Sequence, residues 1–161
     1  MKVVTGDLLG LARRGQFDVI VHGCNCFCTM GRGIAKGVRE AFPEAYEADC
    51  RTRSGDRLKL GDYTGARVLR DGMDLVVVNA YTQFHWRGAG PKADYDAISR
   101  VFRSIRLAFA GSRIGYPKIG AGLAGGDWGR ISALIDETLA GEDHTLVVFE
   151  QDIQPRQFSI F

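Results

Sequence analysis

The stretch that decides the fold is Gly23-Cys24-Asn25-Cys26-Phe27-Cys28-Thr29-Met30-Gly31-Arg32-Gly33-Ile34-Ala35. An apolar segment, Phe17–His22, precedes it, and an amphipathic pattern, Ile34–Phe42, follows it. This order predicts a strand, a glycine-containing loop and a helix. Backbone N–H groups at such a helix start are free to bind an anion, and the glycines let a phosphate or a ribose approach the main chain.

A second segment of the chain repeats this arrangement. The predicted strand Ile114–Ile119 runs into Gly120-Ala121-Gly122-Leu123-Ala124-Gly125-Gly126, and a helical pattern begins at Asp127. Ligands of open α/β sheets bind at the carboxyl ends of strands, so both loops are expected at one edge of the sheet. Two phosphate-binding loops in one composite site predict a ligand that carries a diphosphate between two sugars.

The remaining periodicities predict strands that alternate with helices, which is typical of a three-layer α/β/α sandwich. We expect one domain over residues 1–161. The further predicted strands are Lys2–Thr5, Gly61–Leu69, Leu75–Tyr81, Arg113–Lys118 and Thr145–Phe149. The further predicted helices are Asp7–Arg14, Pro43–Arg53, Ala93–Phe109 and Asp127–Leu139. The tail after Gln151 carries apolar residues that we expect to pack on another surface: Ile153, Phe158, Ile160 and Phe161.

The composition is that of an ordinary globular protein, with 45% hydrophobic and 25% charged residues. The formal net charge of +2 is too small to require a nucleic acid as partner. No apolar run reaches the ~18 residues of a membrane span, and no signal peptide is recognisable. We therefore expect a cytoplasmic monomer with no membrane association, in a reducing compartment where disulfides do not form.

Two polar residues in the predicted loops each have a structural and a functional interpretation. Asp7 either caps the helix that follows it or accepts a hydrogen bond from an exocyclic amine of adenine. Asn25 either caps a turn or binds a ribose hydroxyl through its amide. The Gly-x-Gly-x-x-Gly pattern of dinucleotide-binding folds is absent after the first strand, which disfavours that class.

The cysteines of the first loop raise the question of a metal site or a nucleophile. Cys24, Cys26 and Cys28 lack the second ligand cluster that structural zinc requires, so we expect no metal and no cofactor. A nucleophilic cysteine has His22 as its sole evident partner. His22 is also the best candidate for an acid or base by residue type, since the pKa of histidine lies near neutrality.

Three other residues are candidates with equally simple structural alternatives. Lys92 precedes a long helix and is explained equally well as a solvated lysine. Asp127 begins a helix, where the dipole favours an acidic residue. Phe149, at the end of the last strand, either belongs to the core or stacks on a base.

Together these residues resemble the macrodomain family, whose members bind ADP-ribose. The matching pieces are Thr5-Gly6-Asp7-Leu8, the Asn25 loop with Met30-Gly31-Arg32-Gly33-Ile34-Ala35, and Pro117-Lys118-Ile119-Gly120-Ala121-Gly122-Leu123. The resemblance implies a mixed six-stranded sheet between helices. It also implies that Asp7 meets adenine beside Leu8, that Asn25 meets the distal ribose, and that Phe149 lies near the adenine. The diphosphate and the distal ribose would contact Met30, Gly31, Arg32, Gly33, Ile34, Ile119, Gly120, Ala121, Gly122 and Leu123.

Within that family, the chain is similar to the ADP-ribose-1″-phosphate phosphatases, to glycohydrolases that release terminal ADP-ribose, and to the related DNA-ADP-ribosyl glycohydrolase antitoxins. The phosphatase resemblance, which we favour at this point, implies that loop amides hold the 1″-phosphate while His22 and Asp127 serve as acid and base. The glycohydrolase resemblance implies that Lys92 or a water attacks C1″, although Ala124 stands where those enzymes carry an acid. A reader that binds ADP-ribose without turnover is the third possibility. The expected partner is ADP-ribose or an ADP-ribosylated molecule, either protein or nucleic acid.

Overall fold

In the computed structural model, which describes residues 1–152, six strands form one mixed sheet. The strands are β1 (Lys2–Thr5), β2 (Val19–Cys24), β3 (Tyr63–Arg70), β4 (Met73–Tyr81), β5 (Ile114–Tyr116) and β6 (His144–Val148). The α-helices are α1 (Leu8–Arg13), α2 (Gly33–Ala41), α3 (Pro43–Cys50), α4 (Tyr95–Ala108) and α5 (Trp128–Thr138). Short 3₁₀ turns cover Arg57–Lys59 and Glu150–Asp152. The tail residues expected to pack, Ile153, Phe158, Ile160 and Phe161, lie outside the described residues.

The strand order places the functional loops at one edge of the sheet. The order is β1-β6-β5-β2-β4-β3, and every neighbouring pair is parallel except β3 with β4. The carboxyl ends of β1, β2, β4, β5 and β6 therefore share one edge, which is where open α/β sheets bind ligands. The prediction of a mixed six-stranded sheet is confirmed.

Helices cover both faces of the sheet, as predicted for a three-layer sandwich. On one face, Leu8 of α1, Val38 of α2 and Ala45 of α3 pack with buried sheet residues such as Ile20 and Val77. On the other face, α4 and α5 contribute Ile98, Val101, Phe102, Ile105, Ile131 and Ile135 to a second core. Across residues 1–152, every helix lacks either the length or the apolar run that a bilayer span requires.

Strand β2 lies two residues further along the chain than predicted. It runs over Val19–Cys24 because its last residues pair with β4, where Gly23 stands opposite Ala80 and Cys24 opposite Tyr81. Phe17, predicted to begin the strand, instead packs under Gly115, and a Cβ at Gly115 would lie 2.8 Å from the Phe17 ring. This pairing comes from distant sequence, so local periodicity does not reveal it.

Other predicted boundaries also change, each for a physical reason. Strand β5 ends at Tyr116 because Pro117 has no N–H to continue the ladder. Helix α3 stops at Cys50, three residues before the prediction, as the Thr52 hydroxyl donates to the Asp49 carbonyl at 2.6 Å. Strand β4 begins at Met73 because both residues of the Asp71-Gly72 turn have positive φ, 51° and 77°, which closes a tight hairpin with β3.

Candidate functional site

The first loop, residues 25–32, holds its backbone in an unusual conformation. Cys28 and Met30 have φ of 55° and 38°, and Gly33, the first residue of α2, has φ of 57°. Non-glycine residues in this region are strained, and such strain persists where the surrounding structure enforces it. Burial holds the backbone of Met30 in this conformation, since the Met30 side chain is 3% exposed and packs in the core beside α2.

This conformation leaves a row of backbone donors without partners. Within residues 1–152, no protein acceptor receives a hydrogen bond from the backbone N–H groups of Met30, Gly31, Arg32, Gly33 or Ile34. The side chain of Arg32 is exposed at the N-cap of α2. Free N–H groups at a helix start, next to a guanidinium, form the local environment that an anion requires.

The second loop, residues 117–127, folds tightly on itself. The N–H of Gly126 donates to the carbonyl of Gly120 at 2.7 Å, and the N–H of Gly125 donates to the carbonyl of Gly122 at 3.0 Å. A Cβ at Gly126 would lie 2.6 Å from that Gly120 carbonyl oxygen, so the position requires glycine. The N–H groups of Gly120, Gly122 and Leu123 have no protein acceptor within the described residues.

The two glycine loops face each other across the edge of the sheet. Leu123 is 75% exposed, and its side chain comes within 3.5 Å of the place that a Cβ on Gly33 would occupy. Ile119 anchors the base of the second loop in the core, while Ile34 packs at the start of α2. The two loops predicted to meet one diphosphate and one ribose therefore lie together.

A third loop, residues 82–94 between β4 and α4, connects the first two. The N–H of Cys26 donates to the Phe84 carbonyl at 3.0 Å. The N–H of Lys92 donates to the Ala124 carbonyl at 2.6 Å. Sequence reasoning missed this connection. The position of the loop after a strand that ends at the same edge is the signal that could have found it.

Asp7, Leu8 and Phe149 lie at the ends of the neighbouring strands β1 and β6. The Gly6 N–H donates to the Val148 carbonyl at 2.9 Å, which brings Asp7 close to Phe149. Asp7 caps α1, accepting from the Leu9 N–H at 3.2 Å through one oxygen of an exposed carboxylate. The Leu8 side chain is buried in the core, so Leu8 can offer a ligand only its backbone. Phe149 is 48% exposed, as a stacking ring requires.

Asn25 makes the turn contacts expected of a capping residue. Its Oδ1 accepts from the Phe27 N–H at 2.8 Å, and its Nδ2 donates to the Thr29 hydroxyl at 2.7 Å. The side chain is only half-buried, and each of its amide atoms can make one more hydrogen bond. The ribose contact of Asn25 stays a prediction.

His22 lies in the interior of the protein and not in the cleft between the loops. It is 1% exposed, inside β2, with Nε2 at 2.7 Å from Asn79 Oδ1. Asn79 Nδ2 donates to the Ala45 carbonyl, which fixes the amide orientation and makes His22 Nε2 the protonated nitrogen. Burial lowers the pKa of His22 from 6.5 to about 4, so the ring is neutral at physiological pH.

The cysteines of the first loop belong to a buried polar cluster. Lys59, 8% exposed, donates to the Cys26 carbonyl at 3.1 Å and to Cys28 Sγ at 3.5 Å. Burial raises the pKa of Cys26 to about 11 and raises that of Cys24 as well, so both thiols keep their protons. Among residues 1–152, no three His, Cys, Asp or Glu side chains converge as a metal centre requires. Lys59 thus stabilises the strained part of the first loop through its hydrogen bonds to Cys26 and Cys28.

Lys92 and Asp127 lie on two chain segments that pack against each other. The two segments approach closely at Gly126, where an added Cβ would lie 2.9 Å from the Ala93 Cβ. The Lys92 amine donates to the Ala89 carbonyl at 2.7 Å. Asp127 caps α5, accepts from the Arg130 N–H at 3.4 Å, and its own N–H donates to the Tyr95 hydroxyl at 3.0 Å. The carboxylate of Asp127 is exposed beside the second loop.

Comparison with known proteins identifies one matching family model and several similar proteins. The Macro domain model matches residues 21–135. An uncharacterised 17.5 kDa protein from the tk-vs intergenic region of enterobacteria phage T4 is 35% identical over 142 residues, which cover 84% of this chain and 88% of the phage protein. A DNA ADP-ribosyl glycohydrolase of Mycobacterium tuberculosis is 32% identical over 136 residues, which cover 77% of this chain and 34% of that protein.

The chain thus spans about a third of the length of the mycobacterial relative. Among solved structures, the macrodomain of Thermus aquaticus DarG superposes with a TM-score of 0.71 at 24% identity, covering 92% of this chain and 97% of that one. At that identity the likeness concerns the fold.

Proposed function

Because the chain belongs to the Macro domain family, we propose that it binds ADP-ribose and hydrolyses ADP-ribosyl groups attached through C1″, with nucleic acid as the acceptor. The mycobacterial relative is a DNA ADP-ribosyl glycohydrolase, and its similarity to this chain supports this acceptor. This chain spans about a third of that longer protein, so its activity comes to this chain only as part of the proposal.

One observation carries the proposal of ADP-ribose binding. Two glycine loops face each other at the carboxyl edge of the sheet, and both present backbone N–H groups without protein acceptors in residues 1–152. A diphosphate between these loops would receive hydrogen bonds from the N–H groups of Gly31–Ile34 on one side and from those of Gly120, Gly122 and Leu123 on the other. The adenine then points toward Asp7 and Phe149, and the distal ribose toward Asn25.

The proposed reaction breaks the bond between C1″ and the acceptor. A water oxygen adds to C1″, the acceptor leaves with the bonding electron pair, and the proton from the water passes to the acceptor through a protein group. Lys92 and Asp127 flank the packed Ala93–Gly126 contact, so they are the residues that we assign to this proton transfer. General acid–base help of this kind contributes about 10²–10⁴-fold to a rate.

The position of His22 disfavours the phosphatase mechanism expected from the sequence. A group that protonates or activates a reactant must reach it within hydrogen-bond distance, directly or through one water. His22 is instead enclosed in β2 and bound to Asn79 at 2.7 Å. We therefore assign His22 to positioning β2 against β4, and the 1″-phosphate becomes the second substrate to test.

The test offers three substrates side by side: ADP-ribosylated single-stranded DNA, ADP-ribosylated protein and ADP-ribose-1″-phosphate. We expect free ADP-ribose from the DNA, with the rate reduced about 10²–10⁴-fold in Lys92→Ala and in Asp127→Asn. Lys2→Ala is the matched control, because Lys2 is an exposed lysine at the opposite edge of the sheet, paired with Asp143. Its rate should equal that of the unaltered protein.

Two outcomes would contradict the proposal. Phosphate release from ADP-ribose-1″-phosphate, lost in His22→Ala but kept in Lys92→Ala, would establish the phosphatase instead. Binding of ADP-ribose without turnover of any of the three substrates would make the protein a reader.

A further inference from the structure

A cluster of aromatic side chains lies beside the first loop and plays no part in the proposed contacts with ADP-ribose. The ring of Phe27 meets Phe84, His85 and Trp86 with centroid distances of 5.0, 4.7 and 5.6 Å. The rings of His85 and Trp86 stack in parallel, 4.3 Å apart with an interplanar angle of 7°. Trp86 is 37% exposed, which is unusual for a residue of its size.

Two arginines complete this cluster, hereafter the aromatic platform: Phe27, Phe84, His85, Trp86, Arg57 and Arg87. The Arg57 guanidinium lies 3.9 Å from the centroid of the Phe84 ring, and the Arg87 guanidinium lies 5.1 Å from the centroid of Trp86. Both arginines are exposed. A guanidinium stacked on an aromatic ring can stack a nucleobase on its outer face while it attracts a phosphate.

The charge around the platform is strongly positive although that of the whole chain is not. Residues 83–92 contain Arg87 and Lys92 with no acidic residue. Residues 51–59 contain Arg51, Arg53, Arg57 and Lys59 against Asp56 alone. This second segment packs on the platform, since a Cβ at Gly55 would lie 3.2 Å from the Phe27 ring and the Ser54 hydroxyl donates to the Phe27 carbonyl. These two segments carry a formal charge of +5, whereas the whole chain carries +2.

The platform lies beside the loop that is predicted to contact the distal ribose. Phe27 is two residues after Asn25, the predicted contact of the distal ribose, and its N–H donates to the Asn25 side chain at 2.8 Å. Phe84 touches the same loop through the bond from the Cys26 N–H to its carbonyl, at 3.0 Å. A group carried on a distal ribose at the predicted Asn25 contact would therefore lie beside these aromatic rings and guanidinium groups.

We propose that the aromatic platform binds single-stranded nucleic acid, stacking a base of the acceptor strand on Trp86 and Arg57 and holding its phosphates with Arg87 and Arg57. Interleaved aromatic and basic groups of this kind bind single strands with little sequence preference, because every base has a π face. Duplex bases are already stacked, so the platform favours single strands. This assignment deepens the proposed function and depends on it for its biological meaning.

The test uses an unmodified, fluorescently labelled single-stranded DNA oligonucleotide, so that binding is measured without any ADP-ribose. We expect fluorescence anisotropy to report saturable binding that weakens steeply with added salt. In Trp86→Ala and in Arg57→Gln the affinity should fall between about 5- and 150-fold, the range found when one stacking side chain is removed. Trp86→Phe keeps a π face and should retain most of the affinity.

The matched controls are Tyr46→Ala and Arg39→Gln. Each removes one member of another arginine–aromatic pair, in which the Arg39 guanidinium on α2 lies 3.9 Å from the centroid of the Tyr46 ring on α3. They should leave oligonucleotide binding unchanged. Calorimetry with ADP-ribose on the same variants shows whether Trp86→Ala keeps its fold and its cleft, and we expect that binding to be unaltered.

Each contrary outcome has a separate meaning. Binding of ADP-ribose without binding of the oligonucleotide by the unaltered protein would overturn the platform assignment and leave the proposed cleft in place. The assignment also fails if Trp86→Ala binds the oligonucleotide normally, or if a duplex binds as tightly as the single strand. It fails as well if Trp86→Ala slows the hydrolysis of ADP-ribosylated protein but not that of ADP-ribosylated DNA. Absence of ADP-ribose binding would overturn the proposed function instead.

Discussion

At the scale of single residues, His22 shows how burial changes the role of a reactive side chain. Its pKa is lowered from 6.5 to about 4 by burial, although the hydrogen bond to Asn79 opposes this shift. A histidine whose pKa is lower in the folded than in the unfolded state stabilises the fold above about pH 6.5. That contribution is lost as the pH falls toward 4, because the unfolded chain takes up the proton first.

We predict that His22 accounts for about 3 kcal/mol of stability lost between about pH 7 and pH 4. Denaturant unfolding of the protein and of His22→Gln measures this, since glutamine keeps a donor for Asn79 but does not titrate. The pKa of His144 is lowered by burial as well, but His144 is present in both proteins and cancels in the difference. A stability difference between the two that does not change with pH would show that folding does not shift the pKa of His22, and would contradict its burial.

At the scale of the elements, close backbone packing shapes the second loop. A Cβ at Gly126 would lie 2.6 Å from the Gly120 carbonyl oxygen and 2.9 Å from the Ile131 Cδ1. Gly126→Ala therefore pushes the loop away from α5. We expect ADP-ribose affinity to fall at least about tenfold and the free energy of unfolding to fall by about 1–3 kcal/mol. Calorimetry and denaturant unfolding measure the two effects.

Gly65→Ala in β3 is the control for the loss of a glycine. A Cβ there would meet Val76 Cγ1 at an ordinary 3.8 Å, and Gly65 lies on the antiparallel edge strand away from the glycine loops. ADP-ribose affinity should not change in this variant. If Gly126→Ala bound ADP-ribose as well as Gly65→Ala does, the second loop would not be part of the binding site.

The same elements show which parts of the structure the local sequence encodes. The glycine loops, the helix after the first loop and the alternation of strands with helices were predictable because each depends on residues close together in the chain. That helix begins at Gly33, one residue before the predicted Ile34. The end of β2 at Cys24, the buried Lys59 beneath Cys26 and Cys28, and the contact of residues 82–94 with both glycine loops depend on pairing across the sheet. The Asp71-Gly72 dipeptide indicates a tight hairpin between β3 and β4, and the predicted strand boundaries did not use it.

At the scale of the whole molecule, the sheet brings together groups that are far apart in the sequence. Asp7, the Asn25 loop, residues 82–94, the second glycine loop and Phe149 all follow strands that end at the same edge. Residue identity alone suggested the ligand and favoured the phosphatase mechanism, because the sequence does not show that His22 is buried within β2. The order of these groups along the edge runs from Asp7, the predicted adenine contact, to the aromatic platform at Trp86.

The most direct test of this arrangement is a ¹H–¹⁵N NMR titration of the protein with ADP-ribose. The backbone N–H signals of Leu8, of Gly31–Ile34, and of Gly120, Gly122 and Leu123 should shift together and saturate with one affinity, since these free donors would all bind one ligand. The N–H of Gly126, already bonded to the Gly120 carbonyl, should keep its donor role and shift less. No saturable change, or changes confined to residues away from the two glycine loops, would contradict the binding site and with it the proposed function.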